Sequence, residues 1–246
     1  MNVDLLWPDA AADLDDEALL ALTTMPADRD WLRMNFIASI DGAATRDGRS
    51  GGLGDAADRR LFDLLRRPAD AVLLGAGTAR DEGYGGMRLD DASVAWREER
   101  GMPPHPTFVL VSRSLRLDPA SPMFTDAPMR PIVCTVAGVQ PGELADVADV
   151  IECGEGDVDP LRVRAELAAR GIRHVHGEGG PRVFASFLAA GAVDALHLTL
   201  APTLEVGDAG RITVGRPGAP TGLRLASVLR SADELFLHYV RTASGS

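Results

Sequence analysis

Short apolar runs alternate with amphipathic helical patterns along this sequence, and the alternation constrains the fold more than any other feature. The apolar runs are bounded by Gly, Pro and Asp turn residues and predict strands at 32–40, 71–74, 107–111, 132–136, 147–153, 172–176 and 195–200. The spacing of apolar residues predicts helices at 55–67, 92–100, 159–170 and 182–190. Strands that alternate with helices build an α/β fold around a mostly parallel sheet.

The two ends of the chain differ from this alternation. Two further strand patterns at 223–228 and 234–240 flank turn residues and predict an antiparallel C-terminal hairpin that closes the sheet. Near the N-terminus, an acidic stretch at 13–22 carries apolar residues at helical spacing. We therefore divide the chain into an N-terminal acidic helical extension at 1–30 and a larger domain at 31–242.

The charged residues exclude several classes of function. There are 36 Asp and Glu residues against 25 basic ones, a formal net charge of −11, which argues against an extended nucleic-acid groove. Every basic residue is Arg, so lysine Schiff-base chemistry and the P-loop lysine are excluded. A site for an anionic ligand must therefore use arginine or backbone amides.

Metal, disulfide and membrane patterns are all weak. Cys134 and Cys153 lack the spacing of a zinc or redox motif, so we expect reduced core residues. His174 and His176 alternate along a strand with no third ligand nearby in sequence, so no metal site is expected. No signal peptide or apolar run of membrane-spanning length is recognisable, which predicts a cytoplasmic protein with no membrane partner.

Three predicted strands end in glycine-bearing turns: Asp41-Gly42, Gly75-Ala76-Gly77 and Gly177-Glu178-Gly179-Gly180. In parallel α/β sheets ligands bind at the carboxyl ends of strands, so these turns can meet at one cleft. The helix that starts after Pro181 would offer free N–H groups to a phosphate. The alternative is three plain strand-to-helix connections, because short glycine motifs are weak and the ordinary dinucleotide fingerprint is absent.

The glycine-rich segment 47–54 predicts a mobile loop, because glycine loses the most backbone freedom on ordering. We interpret it as a lid over the cleft, with Ser50 as a donor to ligand and with Gly51 and Gly52 leaving positive φ angles accessible to the loop. The alternative is a surface hairpin that never meets a ligand.

Four segments carry a family resemblance: Ala38-Ser39-Ile40-Asp41-Gly42, Gly75-Ala76-Gly77-Thr78, Glu178-Gly179-Gly180-Pro181, and Val193-Asp194-Ala195-Leu196 followed by Leu200-Ala201-Pro202. In order and spacing they resemble the pyrimidine reductase of riboflavin biosynthesis, a member of the dihydrofolate-reductase-like superfamily, from residue 32 to about 240. The zinc-deaminase motifs of bifunctional relatives are missing. The resemblance is therefore to the reductase domain of the deaminase-reductase alone.

This resemblance implies a three-layer dihydrofolate-reductase-like fold, a homodimer, and NADPH-dependent reduction of 5-amino-6-(5-phosphoribosylamino)uracil to the ribitylamino product. With the glycine turns and strand ends, it predicts these cofactor contacts: Ala38, Gly52, Gly75, Gly77, Thr78, Glu82, Ser112, Arg113, Gly179, Gly180, Pro181, Arg182, Val183 and Phe184. The predicted substrate contacts are Ser50, Arg66, Arg88 and Glu178, and the predicted catalytic residues are Asp41 and Glu178.

Each proposed role has a simpler alternative. Asp41 could bind the pyrimidine or relay a proton, or it could only cap its turn. Glu178 suits a donor-rich uracil ring, or it stabilises the following helix dipole. Arg113 could hold the 2′-phosphate of NADPH, or it is a surface arginine. Arg66 could bind a phosphate, or it complements the C-terminal dipole of its own helix.

The sequence departs from the family at Ser50-Gly51-Gly52, where many relatives have an aromatic residue, and at Arg80-Asp81-Glu82-Gly83-Tyr84. Both changes fall on the substrate side. Two alternatives therefore stay open: reduction of a pterin or another pyrimidine, as in dihydrofolate reductase, and a non-catalytic NADPH-binding protein.

Overall fold

The computed structural model describes residues 2–242, which form one ten-stranded sheet with helices around it. The strands are β1 Asp4–Trp7, β2 Trp31–Ser39, β3 Ala71–Gly75, β4 Thr107–Val111, β5 Ile132–Thr135, β6 Asp149–Glu152, β7 His174–Gly179, β8 Ala195–Ala201, β9 Leu223–Ser231 and β10 Glu234–Arg241. Their order across the sheet is β1-β9-β10-β8-β2-β7-β3-β4-β5-β6.

The seven strands from β8 to β6 in that order are parallel, and β10, β9 and β1 add to them in antiparallel fashion. β9 and β10 form a hairpin, in which Ser231 pairs with Glu234. The predicted fold class, a mostly parallel sheet with an antiparallel C-terminal hairpin, is confirmed.

Helices cover both faces of the sheet. They are α1 Asp16–Leu22, α2 Ala56–Arg66, α3 Ala76–Asp81, α4 Asp91–Glu98, α5 Pro122–Thr125, α6 Leu144–Val147, α7 Pro160–Ala169 and α8 Pro181–Ala189, with a 3₁₀ turn at Ser50–Gly52. Alternate residues of β3 point to opposite faces, so Leu73 packs with α7 and α8 while Val72 and Leu74 pack in a second core.

The helix that matters most for the site is α2. Asp55 caps its start, because its carboxylate accepts the backbone N–H groups of Ala57 at 2.6 Å and Asp58 at 3.2 Å. Ala57, Leu61, Leu64 and Leu65 are buried against the sheet and α1. This leaves the neighbouring stripe of Arg59, Phe62 and Arg66 to face the carboxyl ends of the strands.

The N-terminal region differs from its prediction. The helix expected at 13–22 begins at Asp16, and residues 4–7 form β1, which the sequence analysis did not predict. β1 pairs with β9, and α1 packs on α2. The short helices α3, α5 and α6 were also missed, and the first residue of the strand expected at 147–153 lies in α6.

Cys134 and Cys153 are buried, as expected, and do not form a disulfide. Within residues 2–242 no group of metal-binding side chains is found. None of the helices in this part of the chain is long and apolar enough to cross a membrane.

Candidate active site

A cavity of about 400 Å³ opens at the carboxyl ends of β2 and β7, beside α2, α3 and the start of α8. Small-molecule sites commonly have this size and this place in α/β sheets. The lining residues are Asn35, Phe36, Ile37, Ala44, Thr45, Gly48, Ser50, Gly51, Asp58, Arg59, Phe62, Thr78, Asp81, Glu82, Tyr84, Glu178, Gly179, Gly180 and Pro181.

Two glycines allow the strands and helices to approach closely at this cavity. A Cβ on Gly180, whose φ is +57°, would lie 2.9 Å from Thr78 Oγ1. A Cβ on Gly75 would lie 2.9 Å from Val183 Cγ2, so glycine there lets α8 pack on the end of β3. α8 begins with Pro181 and has no side-chain cap. Its start is therefore open to an anionic group at the cavity wall.

Glu178 lies at the centre of a hydrogen-bonded cluster under the cavity wall. Arg66 Nε donates to Glu178 Oε1 at 2.5 Å and Arg66 Nη2 donates to Oε2 at 2.7 Å. The two residues therefore form a bidentate ion pair. The Tyr84 hydroxyl donates to Oε2 at 3.2 Å. The Glu178 side chain has no solvent exposure although the residue is 8% exposed, so its exposed part is backbone.

The pKa values in this cluster follow from burial and from the Glu178 charge. Burial disfavours the charge of Arg66, but the charge and hydrogen bonds of Glu178 outweigh burial and raise the pKa of Arg66. Burial, followed by the Glu178 charge, raises the pKa of Tyr84, so its hydroxyl stays protonated and donates. The guanidinium of Arg66 also stacks on Phe62, 4.3 Å from the ring centroid.

The loop 47–54 forms part of the cavity wall. Arg46 and Arg49 exchange two backbone hydrogen bonds across Asp47 and Gly48, whose φ values of +50° and +79° suit a two-residue hairpin turn. Gly48, Ser50 and Gly51 then line the cavity. The loop adopts positive φ at Asp47 and Gly48 rather than at Gly51 and Gly52.

The structure brings seven of the predicted site residues to the cavity. They are Ser50, Thr78, Glu82, Glu178, Gly179, Gly180 and Pro181. Four more support the wall without lining it: Gly75, Val183, Phe184 and Arg66, with Phe184 stacked on the cavity residue Phe36 at 4.8 Å between ring centroids. Ala38, Gly52, Gly77 and Arg182 also lie outside the lining.

Asp41 does not line the cavity in this conformation. Its exposed carboxylate accepts hydrogen bonds from the Ser39 hydroxyl at 2.5 Å and from the backbone N–H of Glu205 at 3.1 Å. These bonds, that from Ser39 first, lower the pKa of Asp41. The geometry agrees with the turn-stabilising alternative for this residue.

Three predicted ligand contacts lie beyond the cavity. Arg113 pairs with Asp157 at 3.2 Å, and both side chains are more than half exposed. Ser112 is buried and its N–H donates to the carbonyl of Cys134. Arg88 is exposed and its Nη2 donates to the Asp126 carbonyl at 3.3 Å.

Sequence reasoning missed most of the other cavity residues, among them the polar and aromatic side chains of Asn35, Asp58, Arg59, Phe62 and Tyr84. Arg59 and Phe62 precede Arg66 by seven and four residues, so helical periodicity could have placed all three on one face of α2. Tyr84 gave no such signal, because its position depends on how the glycine-rich turn after α3 folds back. Among residues 2–242, Arg59 is the one arginine that lines the cavity.

Comparisons with known proteins agree with this fold. The family model for the RibD C-terminal domain matches residues 30–237. The 2,5-diamino-6-ribosylamino-4(3H)-pyrimidinone 5′-phosphate reductase of Archaeoglobus fulgidus is 28% identical over 182 residues, which cover 71% of this chain and 81% of that protein. A pyrimidine reductase-like protein of Corynebacterium diphtheriae is 32% identical with a TM-score of 0.78, over 87% of this chain and 93% of the other. Acinetobacter baumannii RibD shares the fold, with a TM-score of 0.69 at 21% identity, over 88% of this chain and 59% of its own.

Proposed function

The chain belongs to the RibD C-terminal domain family, and from this membership we propose that it is a pyrimidine reductase of riboflavin biosynthesis. The finer proposal is NADPH-dependent reduction of 5-amino-6-(5-phosphoribosylamino)uracil to its ribitylamino product. One observation carries it: a single cavity combines the open, glycine-lined start of α8 with the buried cluster of Glu178, Arg66 and Tyr84.

The residues at the start of α8 fit a dinucleotide phosphate. Gly180 has a positive φ and no Cβ, which leaves room for a phosphate beside Thr78. Thr78, Glu82 and the run from Gly179 to Pro181 would hold the cofactor at this wall. When bound there, the dihydronicotinamide supplies the hydride.

The remainder of the cavity suits a phosphorylated pyrimidine nucleotide. Glu178 and Tyr84 together offer a carboxylate acceptor and a hydroxyl donor, which a uracil ring with several N–H groups and carbonyls can use. Since the Glu178 side chain is covered, its carboxylate meets a ring only after Tyr84 or Arg66 shifts. The guanidinium of Arg59 is then the group available for the substrate phosphate.

Converting a ribosylamine into a ribitylamine adds one hydride to C1′ and one proton to the opened sugar. Of the two carboxylates expected to take part, Glu178 lies at the cavity, whereas Asp41 is bonded to Ser39 and Glu205 outside its lining. We therefore retain Glu178 as the carboxylate that orients the pyrimidine. A role for Asp41 would require the segment that carries it to move.

A substrate panel tests the proposal. The purified protein would be incubated with NADPH and, separately, with the uracil nucleotide, the 2,5-diaminopyrimidinone nucleotide and dihydrofolate, and NADPH absorbance would be followed. We expect turnover of a phosphoribosylamino-pyrimidine, with a product heavier by two hydrogens in mass spectrometry. Turnover of dihydrofolate alone would indicate a pterin reductase, and tight NADPH binding without oxidation would indicate a binding protein.

The same resemblance gives two further expectations. We infer a homodimer, which sedimentation equilibrium of the purified chain would test. We also infer that NADPH rather than NADH is the preferred donor, with Arg113 as the residue that would recognise its 2′-phosphate.

A further inference from the structure

The Glu178 carboxylate has a third neighbour, His176, which does not line the cavity. His176 precedes Glu178 by two residues on β7, so the two side chains share one face of the sheet. His176 Nε2 lies 3.6 Å from Glu178 Oε1, and both side chains have no solvent exposure. This distance is too long for a hydrogen bond but needs only a small movement to become one.

Arg33 determines which ring nitrogen of His176 carries hydrogen. Arg33 Nε donates to His176 Nδ1 at 3.2 Å. Because a guanidinium only donates, Nδ1 must be the acceptor, and the hydrogen of the neutral ring is on Nε2. The other Arg33 nitrogens donate to the carbonyls of Thr23 and Leu65, which fixes the guanidinium in place.

His176 is neutral at physiological pH. Burial lowers its pKa well below the ordinary value, and the positive charges of Arg33 and Arg66 lower it further. Burial lowers the pKa of Arg33 to about 9, so Arg33 keeps its charge at neutral pH. With Arg33 bonded to its Nδ1, the neutral His176 ring therefore presents its single N–H, on Nε2, toward the Glu178 carboxylate.

Within residues 2–242 this N–H has no hydrogen-bond partner, although it is buried. A buried donor without a partner is unfavourable, and such a group in a native structure calls for an explanation. In the present conformation Arg66 and Tyr84 hold the carboxylate. If Arg66 shifts to admit a pyrimidine, Glu178 Oε1 loses its bond from Arg66 Nε and becomes free to accept from His176.

We propose that His176 is a positioning residue: in the ligand-bound state its Nε2–H donates to Glu178 Oε1 and holds the carboxylate toward the pyrimidine. This inference rests on the proposed function in one respect, the role of Glu178 in orienting the ring. Arg33 acts indirectly, through His176, because its hydrogen bond to Nδ1 fixes the tautomer with hydrogen on Nε2.

Two substitutions separate this role from simple packing. His176→Leu removes the donor at similar bulk, and His176→Gln keeps an amide N–H at about the reach of Nε2. We expect kcat/KM for the pyrimidine nucleotide to fall about tenfold in His176→Leu, with NADPH affinity within twofold. We expect His176→Gln to recover activity to within about threefold of wild type. His174→Leu, on the same strand but bonded to the Pro26 carbonyl, is the control and should behave as wild type.

The contrary result is a folded His176→Leu protein with unchanged kcat/KM, or a His176→Gln protein as impaired as His176→Leu. Either would overturn the proposal. Both outcomes require an active wild-type enzyme, so a wild type that reduces no pyrimidine would refute the proposed function instead.

A second measurement does not depend on activity and does not need a variant of His176. Long-range ¹H–¹⁵N correlation spectra of the wild-type protein report the tautomer of each histidine. We expect His176 to be neutral with hydrogen on Nε2, and we expect that proton resonance to move in Glu178→Gln. The proposal would be overturned by a hydrogen on Nδ1, by a charged ring, or by an Nε2–H chemical shift that is the same in Glu178→Gln as in wild type.

Discussion

The backbone N–H of Ser50 donates a 2.9 Å hydrogen bond to Glu82 Oε1, which joins the loop 47–54 to the end of α3. Both residues line the cavity. The loop is also anchored at its base, where Arg46 pairs with Glu205 and donates to the carbonyl of Gly52 at 2.8 Å. Glu82 therefore holds the tip of the loop at the cavity, and Arg46 holds the base of the loop.

Removal of the Glu82 carboxylate should release the tip of the loop. We expect Glu82→Ala to speed amide hydrogen exchange over residues 47–54 and to raise KM for the pyrimidine about three- to tenfold, because a bond to a charged acceptor is lost. Glu82→Gln keeps an acceptor oxygen and should show a smaller change in both. Exchange rates in Glu82→Ala that match wild type would show that this bond does not hold the loop.

The loop glycines test whether the tip must move during turnover. A Cβ at Gly51 meets open space, and one at Gly52 would lie 3.5 Å from Arg46 Cβ, an ordinary contact. The double variant Gly51→Ala/Gly52→Ala therefore fits this conformation and restricts others. We expect kcat to fall more than NADPH affinity does. Unchanged kcat in the folded variant would mean that the loop is a connector.

Much of the fold could be predicted from the sequence because it depends on local patterns. The helix expected at 55–67 is α2 at Ala56–Arg66, bounded by the Asp55 cap and by Pro68. Two of the three glycine-bearing strand ends, after β3 and β7, do meet at one cavity. β1 could not be predicted, because four residues carry little periodicity and their strand conformation depends on pairing with β9.

Site roles were harder to predict because they depend on contacts distant in sequence. Arg66 was expected to bind substrate, but it is 112 residues from Glu178 in sequence and forms an ion pair with it. Asp41 lies in the turn just after β2, yet the backbone of Glu205 holds its carboxylate outside the cavity lining. Tyr84 reaches Glu178 from a turn that has no periodic pattern.

Arg113 provides a test of cofactor preference. It lies just past β4 and is paired with the exposed Asp157, a weak partner that a 2′-phosphate can replace. We expect Arg113→Ala to weaken NADPH binding about three- to tenfold and to leave NADH binding unchanged, measured by titration calorimetry. Asp157→Asn should have the opposite effect and strengthen NADPH binding slightly. Equal loss for both cofactors would contradict a role at the 2′-phosphate.

Arg59 is expected to contact the substrate phosphate, since it is the arginine of the cavity wall. We expect Arg59→Ala to raise KM for the phosphorylated nucleotide about tenfold and to leave KM for the dephosphorylated nucleoside unchanged. Arg60, next to it on α2, is bonded to Asp16 instead, so Arg60→Ala is a control for loss of charge. An equal change of KM for both substrates would place the phosphate elsewhere.

Glu234 should make stability depend on pH. It begins β10 and is 3% exposed, and one of its carboxyl oxygens has no partner within residues 2–242. Burial, followed by its hydrogen bond with Asp55 and the charges of Asp55 and Asp58, raises the pKa of Glu234 to about 8 from 4.5.

The sign follows from proton binding. Between pH 4.5 and about 8 the folded protein binds a proton at Glu234 that the unfolded chain has released. The contribution of Glu234 to the free energy of unfolding is therefore full below pH 4.5 and is lost as pH rises through about 8.

Glu234→Gln abolishes this titration while it keeps the shape of the side chain. We expect the stability of wild type relative to Glu234→Gln to fall by a few kcal/mol, on the order of one per pH unit, across this window. Urea unfolding at several pH values measures the difference, with Asp233→Asn, an exposed neighbour in the same turn, as the control. Parallel pH profiles for wild type and Glu234→Gln would show that Glu234 is ionised in the folded protein.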